Sequence, residues 1–282
     1  MRVVRFPARI VLELTPLCNL SCSMCPRHYI SERDGFMDGR LWRKLIDEIA
    51  RESPQSIVLP FWRGESLLHP EYASFMDYAL AKGLRVHMCT NGQILGEFAE
   101  VLSRLEFVTF SIHTPLGLAN ALEFLKFKKT GRPTIQVSFV EGEPSAGWVN
   151  QVVAGPSLSG FDSVRLYKEH TKDGVFGKSG AAIVTPRTFC QKLVDTLVIA
   201  YDGAVSRCNH IWEPEKALNV KGVSIKGAWD SDLMRRIRAD YPDKYCGPCD
   251  QWTGHTCGKL WCIKNGNIEV SAYGLPAGVA ND

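Results

Sequence analysis

The fold is decided by residues 56–89, where an apolar run, SIVLPFW (56–62), is followed by PEYASFMDYALAKG (70–83) and by a second apolar run, RVHMC (85–89). The two apolar runs are too short for helices, and runs of this kind are typical of buried parallel strands. The stretch between them repeats its apolar residues at helical spacing, starts with proline and ends with glycine. These residues therefore predict a strand–helix–strand unit of an α/β fold.

The same alternation extends from residue 9 to about residue 169, with a second amphipathic helix predicted at Arg40–Glu52. Six strand–helix units fall short of the eight that close a TIM barrel, so the sequence predicts a partial (β/α)6 TIM-type barrel, with an open sheet as the alternative. The six predicted strands are Ile10–Leu14, Ser56–Trp62, Arg85–Cys89, Phe107–His113, Thr134–Val140 and Ser163–Glu169.

The last third of the chain does not continue the strand–helix alternation, and we expect a domain boundary within residues 171–188. A β-hairpin is predicted here by apolar alternation at 196–201, an Asp202-Gly203 turn and a second run at 204–208. A helix is expected near 230–241. We therefore expect a barrel domain at 1–180 and a small C-terminal module of β-hairpin and helix at 181–282.

Composition excludes several classes of protein. The chain has 282 residues, of which 45% are hydrophobic and 22% charged, and a formal net charge of +3. No apolar run is long enough to cross a membrane, and the N-terminus lacks the apolar core of a signal peptide, so we expect a cytoplasmic protein. The mild charge does not suggest nucleic acid as a partner. The ten cysteines are unusual, because clustered cysteines in a reducing compartment indicate metal or redox chemistry.

The first cysteine group, Cys18, Cys22 and Cys25, directly follows the first predicted strand with C-x3-C-x2-C spacing. Three thiolates on one tight loop can hold three irons of a [4Fe–4S] cluster and leave the fourth iron open to another ligand. Zinc is the alternative, but it normally takes four ligands from two paired C-x2-C units, which this spacing fits poorly.

This motif, in the loop after the first strand, resembles that of the radical S-adenosylmethionine (radical SAM) superfamily, over most of residues 9–169. The resemblance implies that the open iron chelates SAM. It also implies that one electron, from a reductant such as flavodoxin or ferredoxin, cleaves SAM to methionine and a 5′-deoxyadenosyl radical. That radical then abstracts a hydrogen atom from the substrate.

Further positions resemble SAM-contacting positions of that family. Arg63-Gly-Glu65-Ser66 stands where the family usually has Gly-Gly-Glu-Pro, which implies that Glu65 accepts from the methionine ammonium of SAM. Arg63 and Ser66 differ from the usual Gly and Pro of this pattern. These differences are expected to change the rim of the site but to keep the Glu65 carboxylate as acceptor. The other positions that resemble SAM contacts are Thr90, Asn91 and Ser111.

The second cysteine group follows the pattern C-x12-G-x4-C … C-x2-C, formed by Cys190, Cys208, Cys246 and Cys249, with two more cysteines after it, Cys257 and Cys262. It resembles the twitch or SPASM extension of radical SAM enzymes, which implies an auxiliary [4Fe–4S] cluster. A zinc ribbon built from the last four cysteines is the alternative, but it leaves Cys190 and Cys208 unexplained. The protein is thus expected to hold two [4Fe–4S] clusters and SAM.

Six C-terminal cysteines exceed the four ligands of one cluster, so two thiols are left over. The pattern most resembles radical SAM enzymes of aminoglycoside pathways, and this implies an epimerase in which Cys249 returns a hydrogen atom to the substrate. The auxiliary cluster would then be held by Cys190, Cys208, Cys246 and one of Cys257 or Cys262. The alternative is a dehydrogenase in which Cys249 is a ligand. An iron–sulfur electron carrier would leave Glu65 unexplained.

Three carboxylates, Glu141, Glu143 and Glu169, follow the fifth and sixth predicted strands. Substrates of α/β barrels bind at this end of the strands, so the carboxylates favour a small polycationic substrate such as an amino sugar. The alternative is that they are solvated loop charges. Because the first strand starts near residue 9, we expect no preceding domain that binds a peptide leader, and this favours a small molecule over a peptide as the substrate.

Overall fold

The computed structural model describes residues 3–31, 34–129, 131–154, 160–169, 189–242, 246–247, 249, 257–264 and 267–271. Its strands are β1 (Arg9–Leu12), β2 (Ile57–Leu59), β3 (Arg85–Thr90), β4 (Phe107–Ser111), β5 (Thr134–Val140), β6 (Ser163–Tyr167), β7 (Thr196–Ile199), β8 (Ala204–Ser206), β9 (Glu215–Asn219), β10 (Cys257–Lys264) and β11 (Asn267–Ser271). Its helices are α1 (Gly39–Glu52), α2 (Tyr72–Ala81), α3 (Ala99–Ser103), α4 (Pro115–Phe124), α5 (Val149–Ala154), α6 (Lys192–Asp195), α7 (Ile225–Trp229) and α8 (Asp232–Ala239).

The described residues form two compact units, the first drawn from 3–87 and 189–249 and the second from 88–169 and 257–271. In the first unit, β1 pairs in parallel with β2 on one side and with β7 on the other. β2 also pairs in parallel with the start of β3, while β8 and β9 extend the sheet in antiparallel fashion beyond β7.

Helix α1 illustrates how the first unit is built. The Asp38 carboxylate accepts from the backbone N–H groups of Arg40 and Leu41, which caps the helix start. The face of α1 that the sequence marks as apolar is fully buried, and Trp42 stacks on Phe75 of α2 with 5.0 Å between ring centroids. Burying such aromatic pairs fixes the helices against the sheet.

The predicted hairpin joins β7 to β8. Gly203 has a φ of +87°, a left-handed conformation that glycine adopts at little cost, and the Asp202 carboxylate accepts from the backbone N–H of Ala204 at 3.0 Å. The Asp202-Gly203 turn that the sequence predicts is therefore present in the structure.

In the second unit, β4, β5 and β6 are parallel neighbours. β10 then pairs antiparallel with β6 and with β11, although sequence analysis predicts neither β10 nor β11. Cys262 lies on β10 opposite Ser163 of β6 and is buried.

The α/β class with a mostly parallel sheet is confirmed. All six predicted strands are present, and β5 has the predicted bounds. The expected boundary at 171–188 lies outside the described residues. Within the described part of the chain, no helix combines the length and the apolar composition that membrane crossing requires.

Candidate active site

The loop after β1 brings three thiols together. Cys18, Cys22 and Cys25 are all partly exposed, and the backbone N–H of Cys25 donates to the Cys22 carbonyl at 3.0 Å, closing a tight turn. The charges of Cys18 and Cys22 each act on the pKa of Cys25, which is the behaviour of close neighbours. Three accessible thiols on one loop fit three irons of a [4Fe–4S] cluster.

The cysteine loop is tied down by its own residues. Arg27 Nε donates to the Pro16 carbonyl at 2.7 Å, and His28 Nε2 lies 2.9 Å from the Cys22 carbonyl. A loop fixed at both ends presents its thiols in one geometry. The thiols therefore need little rearrangement when iron binds.

Burial raises the pKa of the Cys18 and Cys25 thiols, because a partly buried site disfavours the thiolate. The Glu65 carboxylate adds to the upward shift of Cys18. Iron binds thiolates, so loading the site must release these protons, and the metal itself supplies the stabilisation of the negative charge.

The loop after β2 lies directly on the cysteine loop. A Cβ atom on Gly64 would stand 2.3 Å from the Leu17 carbonyl oxygen and 2.4 Å from that of Thr15, so only glycine fits there. The next residue, Glu65, donates its backbone N–H to the same Leu17 carbonyl at 2.7 Å. The structure thus brings Glu65, expected to bind the SAM ammonium, next to Cys18.

The Glu65 side chain is buried and accepts from the backbone N–H of Leu67 at 3.1 Å. Tyr72 lies nearby; burial first, and the Glu65 charge second, raise its pKa well above the usual value of 10. Tyr72 therefore stays neutral, and Glu65 supplies the negative charge at this place. A cationic ammonium is the partner that such a carboxylate favours.

We expect Glu65→Gln to weaken SAM binding by about 1.5–3 kcal/mol, since the amide keeps the Leu67 contact but loses the charge-assisted bond. Equilibrium dialysis of SAM against the anaerobically reconstituted protein measures this loss. Glu97→Gln, which alters an exposed carboxylate, is the matched control and should bind SAM as the wild type does. Equal affinity in both variants would remove Glu65 from the SAM site.

Arg63, predicted to lie at the rim, is instead fully buried. Its guanidinium makes two contacts with Glu13, Nε to Oε1 at 2.7 Å and Nη2 to Oε2 at 2.6 Å, and both side chains have 0% exposure. Nη1 donates to the carbonyl of Trp212, in the segment that follows Cys208. Arg63 therefore ties the ends of β1 and β2 to the C-terminal part of the first unit.

The second unit holds the other residues that resemble SAM contacts. Thr90 is the last residue of β3 and Asn91 follows it; both are buried, and their side-chain oxygens accept from the backbone N–H groups of Gly92 and Gln93. Gly92 has a φ of +73°, and a Cβ there would lie 3.0 Å from the Gly117 carbonyl. This segment is thus a tight turn that requires glycine.

Sequence analysis missed His113, which links two residues that it singled out. Since a carboxylate only accepts, His113 Nδ1 donates to Glu143 Oε2 at 2.8 Å. Its Nε2 lies 3.0 Å from the Ser111 hydroxyl oxygen. A serine and a histidine two residues apart at the end of a strand are the sequence pattern from which these contacts could have been predicted.

The three carboxylates after β5 and β6 differ in their surroundings. Glu143 is held by His113, whereas Glu141 and Glu169 are exposed. A Cβ on Gly142 would lie 3.5 Å from Glu169 Oε2, so the two loops are neighbours. The expected grouping of carboxylates at this end of the strands is present, with Glu143 already engaged.

Cys190 and Cys208 come together in the first unit. Cys190 precedes α6 and is buried, and Cys208 follows β8. Burial raises the pKa of Cys190, and the charge of Cys208 raises it further. Cys246 and Cys249 form a turn in which the Cys249 N–H donates to the Cys246 carbonyl at 3.2 Å.

Comparison with known families then identifies the domains. The radical SAM superfamily matches residues 12–117, and the SPASM iron–sulfur cluster-binding domain matches residues 190–250. The chain carries a radical SAM domain and a SPASM domain. The radical SAM match contains the cysteine loop, Glu65, Thr90, Asn91 and Ser111. A radical SAM domain binds a [4Fe–4S] cluster and SAM, and a SPASM domain implies an additional cluster, so the expected cofactors are confirmed.

The chain is similar to several curated proteins over part of its length. It is 31% identical over 97 residues to the tungsten-containing aldehyde ferredoxin oxidoreductase cofactor-modifying protein of Pyrococcus furiosus, covering 34% of this chain and 26% of that protein. It is also 31% identical over 107 residues to the mycofactocin maturase MftC of Mycobacterium tuberculosis, covering 38% of this chain and 27% of that protein. The matched region thus spans about a quarter of each relative.

Solved structures share the fold. BtrN, solved in complex with AdoMet and 2-DOIA, has a TM-score of 0.54 at 16% identity, covering 83% of this chain and 86% of that chain. SuiB from Streptococcus suis, solved with the precursor peptide SuiA, has a TM-score of 0.64 at 12% identity, covering 86% of this chain and 69% of that chain. At these identities the likeness establishes the fold alone.

Proposed function

We propose that the protein is a radical SAM epimerase that inverts one carbon of an aminoglycoside-type amino sugar. The observation that carries the proposal is the surplus of thiols: six cysteines follow residue 189, and one auxiliary cluster needs four. An epimerase needs a hydrogen atom for the opposite face of the substrate radical, and a free thiol supplies one. The pattern of the chain most resembles that of neomycin C epimerase.

SAM, when bound, would supply a 5′-deoxyadenosyl radical able to remove a hydrogen atom from the substrate carbon. Cys18, Cys22 and Cys25 would hold that cluster, and Glu65, Thr90, Asn91 and Ser111 would orient SAM. Cys190, Cys208, Cys246 and one of Cys257 or Cys262 would hold the auxiliary cluster.

Cys249 would then give its S–H hydrogen atom to the substrate radical, so that one S–H bond breaks and one C–H bond forms. A thiol bound to iron has no such hydrogen, which is why the donor must be a cysteine outside both clusters. The thiyl radical left on Cys249 needs one electron and one proton to become a thiol again. A one-electron reductant such as flavodoxin or ferredoxin is the proposed source of electrons.

The amino sugar is proposed because carboxylates gather after β5 and β6. Glu141 and Glu169 are exposed in neighbouring loops of the second unit. Negative charges in such an arrangement attract a polycation through water and hold its ammonium groups at short range. The proposed setting is cytoplasmic, without nucleic acid or a membrane as partner.

A dehydrogenase of an aminocyclitol or sugar alcohol is the second candidate. The SPASM match ends at residue 250 and contains Cys190, Cys208, Cys246 and Cys249, which alone would complete a four-thiolate cluster. In that case Cys249 is a ligand, and the cluster accepts the second electron from the substrate. This arrangement leaves both Cys257 and Cys262 outside the cluster.

Turnover of aminoglycosides in deuterium oxide tests the proposal, because thiol hydrogens exchange with solvent. We expect one deuterium at the inverted carbon. Cys249→Ala should keep the iron of both clusters and form 5′-deoxyadenosine, yet give no inverted product. Cys89→Ala, which alters a thiol of β3 outside the proposed sites, is the control and should epimerise normally.

One result contradicts the epimerase mechanism, and a second contradicts only the choice of Cys249 as the hydrogen donor. Loss of the auxiliary iron in Cys249→Ala makes this residue a ligand and favours the dehydrogenase. Full inversion by Cys249→Ala removes Cys249 as donor, and the same experiment on Cys257→Ala and Cys262→Ala then identifies which thiol takes its place.

A further inference from the structure

We propose that Lys192 raises the reduction potential of the auxiliary cluster and that His210 holds the lysine ammonium beside the ligating thiols. Lys192 follows Cys190 by two residues, and His210 follows Cys208 by two residues. The inference rests on the proposed ligation of that cluster by Cys190 and Cys208. It adds to this ligation a residue that sets the electronic properties of the site.

Contacts between Lys192 and His210 join the two segments that carry these thiols. Lys192 Nζ lies 2.5 Å from His210 Nε2. An ammonium only donates, so Nε2 accepts and the ring hydrogen of this neutral imidazole is on Nδ1. His210 is 7% exposed, and its backbone N–H donates to Cys208 Sγ at 3.5 Å. The imidazole is therefore a fixed, buried anchor for the ammonium.

The positive charge of Lys192 acts on the Cys190 thiol. Burial raises the pKa of Cys190 most strongly, and the ammonium and backbone N–H of Lys192 both oppose that shift. The residue thus stabilises negative charge on the Cys190 sulfur. Reducing a cluster adds one negative charge to the same place, so a neighbouring cation favours the reduced state and raises the potential.

Within the described part of the chain, no carboxylate forms an ion pair with this cation. The side-chain contact of Lys192 is with the neutral His210. The other cation nearby in sequence, Arg207, is paired with Glu215 at 2.5 Å. Of the cations in the described parts of these two segments, Lys192 is therefore the one without a carboxylate in an ion pair.

An EPR-monitored redox titration tests the role of Lys192. The full-length chain with Cys18, Cys22 and Cys25 changed to alanine isolates the auxiliary signal, and Lys192→Met is compared with Lys192→Arg in this background. We expect a shift to lower potential in Lys192→Met and a potential near the starting value in Lys192→Arg. His210→Leu should shift the potential in the same direction by a smaller amount, because the ammonium is no longer held in place.

Lys82→Met is the matched control, since Lys82 is an exposed lysine paired with Asp47 in the same unit. It should leave the potential unchanged. An unchanged potential in Lys192→Met with full auxiliary iron overturns the inference alone. If Lys192→Met loses the auxiliary cluster, an unchanged potential in His210→Leu overturns the inference instead. Full auxiliary iron in Cys190→Ala overturns the proposed ligation, and the inference with it.

Discussion

Replacing Cys18, Cys22 and Cys25 together by alanine should remove about half of the iron and abolish SAM cleavage. Two [4Fe–4S] clusters amount to about eight irons per reconstituted chain, of which the first cluster holds about four. The three thiols share one loop, and the open iron that they leave is the proposed site of SAM, so no other group replaces them. The auxiliary cluster should remain, because its proposed ligands all follow residue 189.

Iron analysis after anaerobic reconstitution, together with chromatography of 5′-deoxyadenosine, measures both effects. Cys89→Ala is the control for loss of a single thiol outside the proposed clusters, and it should keep about eight irons. Zinc in the C-terminal part of the chain, or only about four irons in the wild type, would contradict the two-cluster prediction and favour a zinc ribbon there.

Arg63→Ala should lower the free energy of unfolding by about 3–5 kcal/mol, the usual cost of removing one partner of a buried ion pair. Glu13 and Arg63 have 0% side-chain exposure, so water cannot reach the carboxylate that is left. Burial lowers the pKa of Arg63, but the hydrogen bond and charge of Glu13, together with the charges of Glu213 and Asp202, outweigh this effect and raise the pKa above its usual value. Arg63 is thus charged in the folded protein.

Anaerobic urea unfolding of the reconstituted protein measures this loss. Arg51→Ala is the matched control: Arg51 pairs with Glu52 at the surface, where its side chain is 66% exposed, and its removal should cost less than about 1 kcal/mol. The double variant Arg63→Met with Glu13→Gln should recover part of the loss, because it leaves no unpaired buried charge. Equal effects of Arg63→Ala and Arg51→Ala would show that the buried pair contributes nothing.

Local patterns account for the elements that the sequence predicts. The apolar run at 134–140 and the helical spacing at 40–52 each depend on neighbours within a few positions, and β5 and α1 appear within one residue of the predicted bounds. The Asp202-Gly203 turn is equally local. Ile268 and Val270 of β11 alternate with polar residues, and Asn265-Gly266 between β10 and β11 is a local hairpin signal that sequence analysis overlooked. The pairing of β10 with β6, which lies far away in the sequence, has no such local signal.

The sequence by itself determined the α/β class, the cysteine loop after the first strand and the order of the SAM-binding motifs, because each depends on residues that are close along the chain. Only the tertiary structure decided what Arg63, His113 and Lys192 do. Arg63 meets Glu13 across 50 positions, His113 meets Glu143 across 30, and Lys192 meets His210 across 18. Such pairs carry no spacing rule, since the partner of a buried charge is set by the strands that fold beside it.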